Sequence, residues 1–188
     1  RIGVRPSDSG VSWLAVLSTT KVPSARTLNQ AMLQDMNKLE EAGYQVLWQS
    51  GKFYFKDMHA KLEESGLMHI HLREFIREMD LAYAAADVIV SRAGALSVSE
   101  LSLVGKPVIF IPSPNVAEDH QTKNAMAYVN HQAAVLLRDA EAVGQLKSKV
   151  DQLLQDVAFA KNLGENMKKL AKPDAANAII NELEFLVK

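Results

Sequence analysis

Short apolar runs alternate with helical patterns along most of this chain, and this alternation limits its fold more than any other feature. Six runs rich in Val, Ile and Leu have the length of strands buried on both faces, although a short buried helix would show the same periodicity. They are WLAVLS (13–18), YQVLWQ (44–49), MHIHLREF (68–75), DVIVS (87–91), PVIFIP (107–112) and AAVLL (133–137). The order strand, helix, strand predicts an α/β fold: a parallel sheet with right-handed crossovers, flanked by helices.

The intervening segments carry apolar residues three and four positions apart, as helices do. In the first of them Gly43 follows the last periodic residue and is the expected C-terminal cap. From Ala140 onward only helical patterns remain, with a break at Pro173, which predicts a helical C-terminal tail. No repeat or linker divides the chain, so residues 1–188 are expected to form a single domain.

Composition excludes several classes of protein. A formal net charge of -1 gives no general electrostatic attraction to nucleic acid or to anionic membranes. No apolar run approaches the ~20 residues that span a bilayer, and no signal peptide precedes the first strand. The absence of Cys excludes disulfides and thiolate metal sites. Because the chain begins at Arg1 rather than Met, we expect a fragment or a processed chain.

The segment SRAGALSVSE (91–100) joins a strand to a helix and permits two interpretations. Ligands of open parallel sheets bind beyond the carboxyl ends of the strands, where this junction lies. Ser97 and Glu100 fit a capping box, in which each side chain satisfies a backbone N–H at the helix start. Alternatively, unpaired N–H groups at Leu96, Ser97 and Val98 bind a diphosphate, with Glu100 accepting hydrogen bonds from a ribose.

A second polar junction, IPSPNVAEDHQTKNA (111–125), follows the next strand. His120, Gln121 and Asn124 would lie near the first turn of the following helix and offer neutral hydrogen-bonding groups to sugar hydroxyls. The alternative is a solvated helix start capped by Asp119 or Asn115. Since both junctions follow consecutive strands, we expect them to face one crevice.

Two further features were weighed as sites. In REFIREM (73–79), Phe75 and Ile76 could offer an apolar shelf and backbone groups to a flat base, or could pack in the core. His59, His69 and His71 have no supporting ligand at a metal-binding spacing, so no metal site is predicted. Neither a Walker loop nor a G-x-S-x-G elbow is present.

The motifs at both junctions, with REFIREM and ARTLNQAM (25–32), resemble the C-terminal half of the MurG family of bacterial N-acetylglucosaminyltransferases. The resemblance runs from about residue 25 to the C terminus. It implies the Rossmann-like C-terminal domain of the two-domain GT-B architecture, which binds the donor UDP-N-acetylglucosamine. The family uses no metal or other cofactor, takes an undecaprenyl-linked muramyl-pentapeptide as acceptor, and lies peripherally on the cytoplasmic face of the inner membrane; this domain itself is expected to be soluble.

Carried over residue by residue, the resemblance implies a donor site at both junctions. Ile76 would meet the uracil through its backbone, Glu100 would hold the ribose hydroxyls, and His120 and Gln121 would meet the N-acetylglucosamine hydroxyls. The diphosphate and ribose segment comprises Gly94, Ala95, Leu96, Ser97, Val98, Ser99 and Glu100. No catalytic residue is assigned in this chain, because the family's acceptor site and base belong to its N-terminal domain.

Two departures from the family pattern limit these implications. The stretch STTKVPS (18–24) has no glycine where the family carries a glycine-rich loop, so no site residue is assigned there, and residues 1–24 match poorly. Nothing corresponds to the N-terminal domain, so the chain alone is expected to bind the donor without transferring it. Two alternatives stay open: a UDP-N-acetylglucosamine epimerase domain, and a non-catalytic nucleotide-sugar-binding subunit that needs a separate partner.

Overall fold

The computed structural model describes residues 11–18, 22–114 and 119–175, together with 177, 180 and 183. Over these residues six parallel strands form one sheet in the order β3-β2-β1-β4-β5-β6. The strands are β1 (Trp13–Leu17), β2 (Gln45–Gln49), β3 (Ile70–Arg73), β4 (Val88–Ser91), β5 (Val108–Phe110) and β6 (Val135–Leu136). Each lies within one of the six predicted runs, so the predicted parallel sheet is confirmed.

Helices connect the strands and form the outer layers. Within the described ranges they are α1 (Val22–Glu41), α2 (Lys52–Ser65), α3 (Met79–Ala85), α4 (Ala95–Val104), α5 (His120–Val129), α6 (Asp139–Gln155) and α7 (Val157–Lys169). Gly43 ends α1 as predicted: its φ is +79°, and its N–H donates to Glu40 O at 2.8 Å. None of the helices in these ranges is both long enough and apolar enough to cross a bilayer.

The sheet carries one apolar core on each face, and the two-residue period of the strands separates them. In β1, Leu14 and Val16 pack in the core beneath α1, α2 and α6, whereas Ala15 and Leu17 pack in the core on the opposite face. Residue Ala15 lies beside Leu47 of β2 and Ile89 of β4, which share its face. Because both faces are covered, the strands are apolar throughout, as their sequences indicated.

The C-terminal helices pack back onto the domain, as the predicted helical tail requires. Helix α6 is interrupted at Gly144, whose φ of +108° interrupts the helical backbone. Helix α7 approaches the end of α4 so closely that a Cβ on Gly164 would lie 2.6 Å from Gly105 O. Only a glycine at 164 permits this contact between the two backbones.

The strand order reverses between β1 and β4, since the chain proceeds outward from β1 in one direction through β3 and in the other through β6. In sheets of this order, ligands bind at the carboxyl ends of the two strands on either side of the reversal. The loop after β4 is therefore at the position where a ligand is expected, together with the start of the loop after β1.

Candidate functional site

The start of α4 presents unpaired backbone donors at the carboxyl end of β4. Helix α4 begins at Ala95 with Gly94 as its N-cap residue, and no side chain caps it. Among the residues that the structure describes, the N–H groups of Ala95, Leu96 and Ser97 have no hydrogen-bond partner. Three free donors, with the positive end of the helix dipole behind them, form a favourable environment for an anion.

The capping box predicted at Ser97 and Glu100 is wrong. The helix begins before Ser97, which therefore lies inside the first turn and cannot be the N-cap residue. The Val98 N–H, predicted to be free, donates to Gly94 O at 2.9 Å, and the Val98 side chain is buried. Of the donors predicted for an anion, Leu96 and Ser97 are confirmed as unpaired, Val98 is excluded, and Ala95 takes its place.

Arg92 lies directly before this turn and serves the structure rather than the crevice. Its guanidinium is 1% exposed, donates to Ile111 O at 2.9 Å and pairs with Asp139 at the start of α6. Burial lowers the pKa of Arg92, while the Asp139 carboxylate acts to raise it. Since Asp139 also accepts a hydrogen bond from Thr27 Oγ1 at 2.8 Å, Arg92 connects the β4–α4 turn to β5, α6 and α1.

The first turn of α5 lies against the same β4–α4 turn. Asn124 Nδ2 donates to Ala93 O at 3.0 Å, so the prediction that both junctions meet at one crevice is confirmed. Gln121 Oε1 accepts the Ser113 N–H at 2.9 Å, which leaves its Nε2 as the available donor. His120 is exposed at the helix start. Asp119 is the N-cap residue but makes no side-chain capping bond, and Asn115 lies outside the described residues.

Glu100 extends from the second turn of α4 toward α3. It is exposed, and its carboxylate accepts a hydrogen bond from the hydroxyl of Tyr83. Both residues line a cavity of about 420 Å³ between the two helices. Sequence reasoning missed Tyr83, because no local pattern connects a residue of α3 with one of α4.

Ile76 is held in place by a side chain from the neighbouring strand. Its N–H donates to Gln49 Oε1 at 2.8 Å, while Gln49 Nε2 donates to Ser18 O at 3.1 Å. The Ile76 side chain is buried, so the part of this residue that can serve a ligand is its carbonyl group. Phe75 beside it is 59% exposed and is available as an apolar surface.

A buried polar network closes the carboxyl ends of β1 and β2. Asn29 Oδ1 accepts from Ser18 Oγ at 3.0 Å and from Trp48 Nε1 at 2.9 Å, and Asn29 Nδ2 donates to Ser50 O at 2.9 Å. A signal for this residue was present in the sequence, since Asn29 lies on the apolar face of α1 between Ala25 and Met32. Residues 19–21 of the glycine-free loop, and the side chains of 22–24, lie outside the described part.

The histidines do not gather into a cluster. His71 Nε2 is 2.9 Å from Gln45 Oε1, and its ring stacks on Trp13. His59 pairs with Glu63 on the exposed side of α2. Among the described residues, no group of three His, Asp or Glu side chains is arranged to hold a metal ion.

A parallel sheet of this strand order, with an open helix N terminus at the reversal, defines a Rossmann-like domain. The chain matches the glycosyltransferase family 28 C-terminal domain over residues 23–179, most of its length, and it belongs to that family.

Curated relatives carry one name: UDP-N-acetylglucosamine–N-acetylmuramyl-(pentapeptide) pyrophosphoryl-undecaprenol N-acetylglucosamine transferase. The protein of Flavobacterium psychrophilum is 48% identical over 163 residues, which are 87% of this chain and 44% of that protein. The protein of Cytophaga hutchinsonii is 45% identical over 181 residues, or 96% of this chain and 47% of that protein. The chain therefore spans less than half the length of these relatives.

Solved structures agree on the fold. The crystal structure of MurG from Acinetobacter baumannii superposes with a TM-score of 0.78 at 23% identity, over 91% of this chain and 49% of that chain. Anabaena HepE, solved in complex with UDP and glucose, superposes with a TM-score of 0.66 at 16% identity, over 91% of this chain and 47% of that chain. These likenesses place the domain in the GT-B architecture, as the resemblance implied.

Proposed function

We propose that residues 1–188 form one domain, the donor-binding half of an inverting glycosyltransferase that moves N-acetylglucosamine from UDP-N-acetylglucosamine to a lipid-linked muramyl-pentapeptide. The observation that carries this proposal is the open N terminus of α4, with three unpaired N–H groups at the reversal of the strand order. The name shared by relatives at 45–48% identity supplies the substrates.

The diphosphate would bind the N–H groups of Ala95, Leu96 and Ser97, where Gly94 lets it approach the backbone. The Val98 N–H is already paired and contributes nothing there. Ser99, which is exposed on the same helix, stays a predicted contact.

The other parts of the donor would meet groups on three elements. A uracil N3–H would donate to the Ile76 carbonyl, because the Ile76 N–H is already bound to Gln49. The ribose hydroxyls would donate to Glu100. The N-acetylglucosamine hydroxyls would meet His120 and the free Nε2 of Gln121. Each contact is between a donor and an acceptor, and none needs a metal or other cofactor.

The test is a UDP titration with the wild type, Glu100→Gln and Glu100→Ala, beside thermal melts of all three. Charge-assisted hydrogen bonds contribute roughly 1.5–3 kcal/mol, so Glu100→Gln should weaken UDP binding by about tenfold or more. Its melting temperature should stay close to that of the wild type, because Glu100 is exposed and caps no helix. Binding of UDP by Glu100→Gln at wild-type strength would refute the ribose site.

Catalysis would depend on the rest of the transferase. A GT-B enzyme aligns donor and acceptor by closing two domains and excludes water between them. We therefore propose that an N-terminal domain supplies the acceptor site and the base, and that the full enzyme acts at the cytoplasmic face of the inner membrane. The 188-residue chain should bind UDP-N-acetylglucosamine and transfer nothing; glycosyl transfer by the purified chain would contradict this.

The relatives named above do not favour the two alternatives, an epimerase domain and a non-catalytic binding subunit. An epimerase would release free UDP and an altered sugar from UDP-N-acetylglucosamine without any acceptor. Incubating the donor with the chain and then with a full-length relative, each without acceptor, separates these activities.

A further inference from the structure

We propose that Tyr83 is a positioning residue for the nucleotide ribose: its hydroxyl holds the Glu100 carboxylate in the orientation that receives the two ribose hydroxyls. This inference rests on the proposed function, since it takes Glu100 as the ribose acceptor. It adds to that function a residue on another helix.

The contrast in burial between the two side chains supports a positioning role. Tyr83 is 6% exposed and packs in the core on the α3 and α4 face of the sheet, with Val98 and Leu101 of α4 in the same cluster. Its ring is therefore fixed by packing. Glu100 is exposed and has three rotatable side-chain bonds, so its carboxylate would sample several rotamers without a partner. The hydrogen bond from the fixed Tyr83 hydroxyl selects among those rotamers.

The hydrogen-bonding capacity of the carboxylate allows this role. An ionised carboxylate has two oxygens with about four lone-pair sites, so one bond from Tyr83 leaves enough acceptors for two hydroxyls. The cavity of about 420 Å³ that both side chains line keeps the carboxylate accessible. Burial raises the pKa of Tyr83, and the adjacent Glu100 charge raises it further, so the hydroxyl stays protonated and remains a donor at neutral pH.

The competing explanation is that the Tyr83–Glu100 bond only ties α3 to α4. The two explanations differ in which ligands feel its loss. A structural tie would affect every ligand of the crevice, whereas a positioned carboxylate affects only ligands that carry the ribose hydroxyls.

The experiment compares UDP with 2′,3′-dideoxyuridine diphosphate, which lacks both hydroxyls, in titrations of wild type and Tyr83→Phe. Phenylalanine keeps the buried ring and removes only the hydroxyl. We expect UDP to bind Tyr83→Phe about fivefold more weakly, the equivalent of one ordinary hydrogen bond, and the dideoxy ligand to bind both proteins equally. An equal loss for both ligands, or no loss for UDP, would overturn the proposal.

A matched control is available at the opposite edge of the sheet. The Tyr44 hydroxyl donates to Asp151 Oδ1 at 3.0 Å, the same kind of bond, far from the carboxyl ends of the strands. Tyr44→Phe should bind both ligands like the wild type, and a fivefold loss of UDP affinity in this variant would overturn the assignment of the effect to Tyr83.

A second measurement covers the case in which Tyr83→Phe is poorly folded. In a Glu100→Ala background, adding Tyr83→Phe should cause no further loss of UDP affinity, because the hydroxyl then has no carboxylate to position. A further fivefold loss would overturn the proposal. If wild type itself binds UDP and the dideoxy ligand equally, the proposed ribose site fails; if wild type discriminates and Tyr83→Phe discriminates as strongly, only the inference about Tyr83 fails.

Discussion

The two halves of the sheet's carboxyl edge use polar groups in opposite ways. At the ends of β1 and β2, Asn29 and Gln49 satisfy buried donors and acceptors of the neighbouring chain, so that half is closed by its own hydrogen bonds. After β4, three backbone N–H groups at the start of α4 have no partner among the described residues. The first half stabilises the fold, and the second half offers donors to a ligand.

The difference shows that polarity alone does not mark a site. Asn29 and Gln49 are as polar as Ser97 and Glu100, but each is buried and fully engaged. Unpaired donors at a helix start remain available because water or an anion can satisfy them. Substitutions in the closed half should therefore reduce stability, and substitutions in the open half should reduce binding.

The largest effect is expected at Arg92, which supports the open half from beneath. Arg92→Met should lower the free energy of unfolding by about 4 kcal/mol, because it leaves the Asp139 carboxylate without its partner. Urea unfolding measures this change. The double variant Arg92→Met with Asp139→Asn should be more stable than the single variant, since the uncompensated charge is then removed. Equal instability of both variants would contradict the ion-pair explanation.

Asn29→Ala tests the closed half. It removes three hydrogen bonds and leaves Trp48 Nε1 and Ser50 O buried without their partner, so we expect a loss of about 3 kcal/mol in the free energy of unfolding. UDP affinity, measured where the variant is still folded, should be unchanged. Gln30→Ala is the control, because Gln30 is exposed on the same helix and should change stability very little. A selective loss of UDP affinity in Asn29→Ala would show that the closed half also serves the ligand.

Gln121→Ala separates ligand contact from loop support within the open half. The free Nε2 would donate to a sugar hydroxyl, so UDP-N-acetylglucosamine should bind about fivefold more weakly while UDP binding changes little. Calorimetric titration with both ligands measures the ratio. The same loss for both would mean that Gln121 acts only through its bond to the Ser113 N–H.

The smallest effect is expected at Glu40, on the amino edge of the sheet. Partial burial acts to raise the pKa of this carboxyl, but hydrogen bonds from the Met68 and His69 N–H groups outweigh burial and lower the pKa below 4.5. A lowered folded-state pKa stabilises the protein above pH 4.5, and this stability is lost as the pH falls through the folded value. Glu40→Gln should cost about 1 kcal/mol or less at pH 7 in urea unfolding. The difference from wild type should shrink at pH 4, and a constant difference would contradict this origin.

Much of the fold could be predicted, because the signals for it are local. Each strand run lies between turn residues, and the Gly43 cap follows directly from the end of its helix. The start of α4 was predicted wrongly from the S-x-x-E pattern at Ser97 and Glu100. A capping bond contributes only about 1 kcal/mol, so it does not decide where a helix begins when the preceding strand and turn already place Gly94 at the N-cap.

The sequence by itself determined the alternation of strands and helices, the two apolar cores and the position of the polar junctions, because each depends on periodicity within one element. Only the tertiary structure decided how those junctions are used. Arg92 reaches Asp139, Gln49 reaches Ile76, and Tyr83 reaches Glu100 across different elements. Which polar groups are satisfied and which are left for a ligand depends on such pairs, and these form only when the elements pack together.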